Sequence, residues 1–172
     1  MRLGVADVSF GRSRYATFHP GRAAELLVGG ELVGVLGEVH PTVATNFGLT
    51  VERACLAEID LDALYAKVGG ARALRPAGRF QPVVQDFAVV VDEAVPAGAV
   101  RETILIAARP LAESARLFDV YHGEQVGAGK KSLAFEVTFA APDRALADHE
   151  LARLRERIAG TLQKRLKASL RG

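Results

Sequence analysis

The stretch that most constrains this fold is residues 132–140, SLAFEVTFA. Leu133, Phe135, Val137 and Phe139 alternate there with Ser132, Ala134, Glu136 and Thr138. A period of two belongs to a strand with one face buried and the other uncovered, because successive side chains of an extended chain point to opposite sides. A helix would scatter the same four apolar residues around its circumference. The segment therefore needs a helical layer on one side only.

Two segments can supply that layer. Pro96 opens a helix whose Val100, Thr103, Ile104 and Ala107 form one stripe, and from about Asp148 a second helix carries Leu151, Leu154, Ile158 and Leu162. Residues 86–91 (DFAVVV) read as a strand with Phe87, Val89 and Val91 inward. Residues 112–121 form another strand, a Gly-rich turn leads into the strand at 132–140, and 167–171 (KASLR) suffice for a last short one. The order is β-α-β-β-α-β, the ferredoxin-like split arrangement. It predicts an α+β unit: a four-stranded antiparallel sheet, two helices on one face, and the other face open.

Alternation also predicts what the open face displays. Asp86 and Ala88 point outward, as do Ser132 and Ala134, and with Phe118 and Val120 inward so do Asp119 and Tyr121. That last phase puts Arg116 inward and Leu117 outward, which a bulge or a twisted edge would reconcile. An aromatic ring, a hydroxyl, a carboxylate and small residues together suit splayed, single-stranded bases. These can stack on Tyr121 and hydrogen-bond to Ser132 or Asp119. The alternative is that Tyr121 merely covers a sheet edge and Ser132 merely starts a strand. Lys130 and Lys131 are placed to meet phosphates, or are a solvated pair in a turn.

The first part of the chain is less regular. Residues 23–28 and 31–36 are apolar runs joined by Gly29-Gly30, a hairpin signal. Pro41 suits the first residue of a short helix that Gly48 closes. Residues 54–60 read as a strand, and Asp60 can cap a helix over 61–68. Residues 69–79 (GGARALRPAGR) lose periodicity. We divide the chain into a module at 1–70, a linker at 71–79 and a domain at 80–172.

Several chemistries are disfavoured. Cys55 is the only cysteine, so neither an intrachain disulfide nor a Cys-based zinc site is available. His19, His40, His122 and His149 lack the spacing of a ligand set, and a turn or helix-start role is expected of His19 and His40. Ser13, Ser114 and Ser169 have no identifiable base. GAGKKS (127–132) is not a nucleotide loop: Glu124 stands where the first glycine belongs, Lys131 intervenes before the serine, and a strand follows. No catalytic residue and no metal ligand is expected. The absence of a signal-peptide run and of a membrane-length apolar stretch points to a cytoplasmic protein. The net charge of +2 says little, but residues 147–172 carry seven Lys/Arg against three acids. That excess favours a phosphate backbone, or is the ordinary basic end of a solvated helix.

HPGRAAEL (19–26) and VGVLGEVHP (33–41) resemble the end of the catalytic-like module of bacterial phenylalanyl-tRNA synthetase beta subunits. QDFAVVVD (85–92), FDVYHGEQVGAGKKSLAFEVTF (118–139) and PDRALADHEL (142–151) resemble the same family's ferredoxin-fold anticodon-binding domain. The resemblance implies a C-terminal piece of a longer subunit, with Met1 a boundary of the piece. It implies that the first module is part of an inactive class II synthetase-like domain, and that positions matching Ala88, Tyr121 and Ser132 line an anticodon-binding surface. By the same resemblance the partners are tRNA(Phe) and an alpha subunit in an α2β2 assembly. ATP and Mg2+ serve the whole enzyme, and this piece needs no cofactor. Ala147 departs from the family pattern, where a threonine precedes the last helix; Asp148 is expected to take over as cap. Two rivals remain on fold alone: a protein–protein assembly domain and an amino-acid-sensing module.

Overall fold

A computed structural model describes residues 4–5, 7–69 and 80–171. Backbone contacts divide the chain into two units, Met1–Arg75 and Pro76–Gly172. The segment 71–79 lies outside the described residues.

The first unit is an antiparallel sheet of β1 (Val8–Arg12), β2 (Phe18–Val28), β3 (Glu31–Val39) and β4 (Cys55–Ile59), in that order. Gly29 and Gly30 hold φ of 59° and 81° and pair Val28 with Glu31, as a two-residue hairpin requires. Pro41 begins α1 (Pro41–Asn46). His40 is its cap, with Nδ1 accepting the Thr42 N–H at 3.2 Å. Asp60 caps α2 (Leu61–Tyr65) by accepting the Ala63 N–H at 2.9 Å. This helix is shorter than expected. Lys67 and Val68 donate to Leu64 and Tyr65, three residues back, so the chain tightens into a turn.

Two features of this unit were not read from the sequence. β1 was missed, and β2 begins at Phe18, so His19-Pro20-Gly21 runs within a strand rather than at a turn. The register slips between Phe18 and Ala23, leaving room for a proline that cannot donate to a ladder. His19 Nδ1 accepts the Gly21 N–H at 3.1 Å inside this irregular stretch.

The second unit contains β5 (Val83–Asp92), α3 (Ala97–Ala107), β6 (Ala112–Tyr121), a 3-10 turn at Glu124–Val126, β7 (Lys130–Phe139), α4 (Asp148–Leu166) and β8 (Ser169–Arg171). The strand order is β6-β7-β5-β8 and every pairing is antiparallel. This is the ferredoxin-like arrangement. Phe87, Val89, Val91, Leu133, Phe135, Val137 and Phe139 are all at most 1% exposed. They pack with Val100, Ile104, Ala107, Leu151, Leu154, Ile158 and Leu162 in one core. Both predicted helical stripes are the buried ones, Thr103 included. Phe87 meets Phe139 edge-on at 6.2 Å, and the Arg155 guanidinium lies 5.1 Å from the Phe87 centroid.

Asp148 does not become the cap of α4. Ala147 occupies that position, and its N–H is accepted by the Glu150 carboxylate at 3.1 Å. Arg144 grips the same carboxylate, with Nη2 2.7 Å from Oε1. Half of a capping box thus survives without the hydroxyl half. The Arg144 hydrogen bond, then the Ala147 N–H, lowers the Glu150 pKa from 4.5 to about 2. A carboxylate with a depressed folded pKa contributes stability above its ordinary pKa, and loses it as pH falls toward the depressed value. Glu150→Gln is therefore expected to unfold more easily than wild type near neutrality, with the difference vanishing by about pH 2. Parallel denaturant titrations across that range check this; a gap that persists at the acid end contradicts it.

Candidate nucleic-acid interface

The open face is read from strand register. Five rows cross it: Tyr121, Ser132, Val90 and Ser169; then Asp119, Ala134, Ala88 and Arg171; then Arg116, Glu136 and Asp86; then Ser114, Thr138 and Val84; and, on the far side of the first, Lys130 and Asp92. β6 keeps both Arg116 and Asp119 on this face through an irregularity. Leu117 pairs with Phe135 and Asp119 with Ala134, so Phe118 is an extra residue. The bulge removes the conflict in the simple alternation and returns Leu117 to the helical side.

The second row is the flattest part. Ala134 and Ala88 form a floor roughly 10 Å across, given a strand spacing of about 4.8 Å. Asp119 stands at one end and Arg171 at the other. Tyr121 flanks the floor on the edge strand and is 40% exposed. Asp119 Oδ1 accepts the Val120 N–H at 2.8 Å. In the third row Arg116 Nη2 lies 3.1 Å from Glu136 Oε1, while Asp86 sits across from Glu136.

Ser132 is on this face but only 7% exposed. The turn at Glu124–Val126 packs against β7, with Val126 buried. Arg171 ties that turn down by donating from Nη2 to Gln125 Oε1 at 2.8 Å. Ser132 is therefore a recessed position on this face, with Tyr121 its cross-strand neighbour. The two lysines part company. Lys130 is exposed and shares the open face by alternation. Lys131 points toward the helical side, and its Nζ donates to the Glu93 carbonyl at 2.8 Å.

Six of the seven proposed residues thus share one face: Asp86, Ala88, Asp119, Tyr121, Lys130 and Ser132. Arg171, Gln125 and Arg116 were not foreseen there. The face carries a slight acidic excess, with Asp86, Asp92, Asp119 and Glu136 against Arg116, Lys130 and Arg171. Such a surface suits bases more than a run of phosphates. Among the described residues no three His, Cys, Asp or Glu side chains cluster as metal ligands do. Of GAGKKS, residues 127–129 turn the chain and Lys130, Lys131 and Ser132 already belong to β7, which starts two residues earlier than its alternation suggests. No described helix is long and apolar enough to cross a membrane.

Residues 78–171 match the family model for the ferredoxin-fold anticodon binding domain, and residues 1–61 match that for the phenylalanyl tRNA synthetase beta chain CLM domain. The chain is 39% identical over 168 residues to the phenylalanine–tRNA ligase beta subunit of Geobacillus kaustophilus, covering 98% of this chain and 21% of that protein. It is 43% identical over 169 residues to that of Symbiobacterium thermophilum, covering 98% and 19%. It is 46% identical over 155 residues to that of Corynebacterium efficiens, covering 90% and 18%. The chain spans about a fifth of the length of the curated relatives it matches.

Proposed function

Because the chain belongs to the ferredoxin-fold anticodon-binding family, joined as in phenylalanine–tRNA ligase beta subunits to their CLM domain, we propose that its open sheet face holds unpaired anticodon bases of tRNA(Phe). The observation that carries this reading is Tyr121, half-uncovered beside a floor of two alanines. A base held over the small side chains of Ala88 and Ala134 turns its π-face to Tyr121 and its edge to Asp119. Stacking supplies affinity, and the carboxylates of Asp119 and Asp86 accept from base amino groups. Ser132 takes part only at the bottom of the site. Lys130 serves a phosphate, and Lys131, tied to Glu93, drops to a supporting place.

In this reading the chain binds and does no chemistry. An alpha subunit in an α2β2 assembly, with its ATP and magnesium, attaches phenylalanine. This chain's residues fix the distal arm of the tRNA.

The test is a titration of the chain with tRNA(Phe) and with a control tRNA at two salt concentrations. One or two phosphate contacts predict that affinity falls roughly 3- to 10-fold between about 50 and 200 mM salt. We expect tRNA(Phe) to be preferred at both. Equal, salt-insensitive binding to both contradicts the reading.

A second reading has its own observation. Along edge strand β6, Phe118 is 48% and Val120 43% exposed, an apolar edge of the kind that pairs with protein. Substituting Tyr121 and Ser132 separates the two. Lost tRNA binding with an intact fold favours the RNA surface, and lost self-association favours an assembly domain.

A further inference from the structure

Gly123 lies between the end of β6 and the 3-10 turn, and its backbone is extended, with φ 173° and ψ 174°. Any residue adopts that conformation, so glycine is not required for backbone freedom. Space is the requirement. A Cβ at this position would stand 2.7 Å from Cζ of Tyr121 and 3.1 Å from Cε1, with the hydroxyl oxygen nearer still. Carbon atoms pack at about 3.5–4.0 Å, so a methyl group and the ring cannot share this place. Gly127 and Gly129, by contrast, have positive φ and nothing within 4 Å of an added Cβ. They turn the chain, whereas Gly123 receives a ring.

We propose that Gly123 is a positioning residue for Tyr121: its bare Cα lets the ring fold back over the turn, and so fixes the pose in which the ring meets a base. This rests on the reading of the open face as an RNA site. The three atoms nearest that Cβ all belong to the far end of a side chain that is 40% exposed, so the ring and not the sheet is what yields. A side chain at 123 therefore moves the ring and leaves the strand pairing in place. The same packing makes the turn a determinant of recognition, although no side chain at 123 touches RNA.

The chain has three tyrosines, Tyr15, Tyr65 and Tyr121, and the first two belong to the other unit. Ring resonances of tyrosine-labelled protein thus report the pose of Tyr121 beside two internal controls. Gly123→Ala is expected to shift the Tyr121 ring signal alone and to leave the unfolding midpoint of the second unit within a few degrees. Affinity for the anticodon stem-loop of tRNA(Phe) should fall about tenfold, the scale of one stacked base. Gly123→Ala added to Tyr121→Ala should cost nothing more. An unmoved Tyr121 signal overturns the proposal, and so does an additive loss in the double variant. If Gly123→Ala binds like wild type while Tyr121→Ala does not, positioning fails and the RNA reading stands. If Tyr121→Ala also binds like wild type, the RNA reading fails and positioning falls with it.

Discussion

Phe135→Ala is expected to destabilise the second unit by about 3–5 kcal/mol, the cost of emptying a fully buried aromatic site. Phe135 is 0% exposed on β7, which has β6 on one side and β5 on the other. The core cluster that holds it draws buried residues from both helices and from β5, β6 and β7, so no single element can relax into the vacancy. A loss of that size is a large share of the 5–15 kcal/mol that holds a typical domain together. Val84→Ala is the control. Val84 sits on the open face of the same sheet and is 54% exposed, so its truncation should stay within about 0.5 kcal/mol. Denaturant unfolding followed by signals from the second unit alone measures both, since two units need not unfold together. Similar losses from the two variants would mean that the open face is covered and is no binding surface.

Tyr121→Ala is expected to weaken binding of the tRNA(Phe) anticodon stem-loop by about 1–3 kcal/mol, or roughly 5- to 150-fold. The ring is the aromatic group flanking the alanine floor, and it is free enough at 40% exposure to meet a base. Its removal empties little of the core, because β6 is an edge strand and Tyr121 faces away from both helices. Folding stability should therefore change by less than about 1 kcal/mol. Tyr65→Ala, a 60% exposed tyrosine of the first unit, should leave binding untouched. An affinity loss in Tyr121→Ala that tracks a loss of fold would remove the support for direct stacking.

The layer structure was legible in the sequence because it rests on period. Leu151, Leu154, Ile158 and Leu162 recur at helical spacing and face the core, and Leu133 to Phe139 recur at strand spacing and face it from the other side. The bulge in β6 was legible as a conflict between Arg116 and Leu117, which only an extra residue resolves. What escaped depends on pairings between distant segments. Alternation assigns Ser132 to a face but says nothing of the turn at Glu124–Val126 that packs on its strand. Arg171 reaches the site because a three-residue strand pairs with β5, and three residues carry too little pattern to fix a register. In the first unit a Pro-Gly pair reads as a turn, and only the register slip in β2 lets it run within a strand.

The steric role of Gly123 was beyond pattern altogether. Sequence shows a glycine before a turn, for which backbone freedom is the default explanation. Only the position of the Tyr121 ring reverses that reading. Likewise, the survival of half a capping box at Ala147 depends on Arg144 reaching Glu150 from outside the helix.

The central claim is that unpaired bases lie on the uncovered side of the second sheet. Amide and methyl resonances followed while the anticodon stem-loop is added to the labelled chain test it most directly. Ala88, Asp119, Tyr121 and Ala134 should shift together, while the solvent side of α3 and α4 stays still. Shifts confined to the basic end of α4, with Ala88 and Ala134 unmoved, would contradict it.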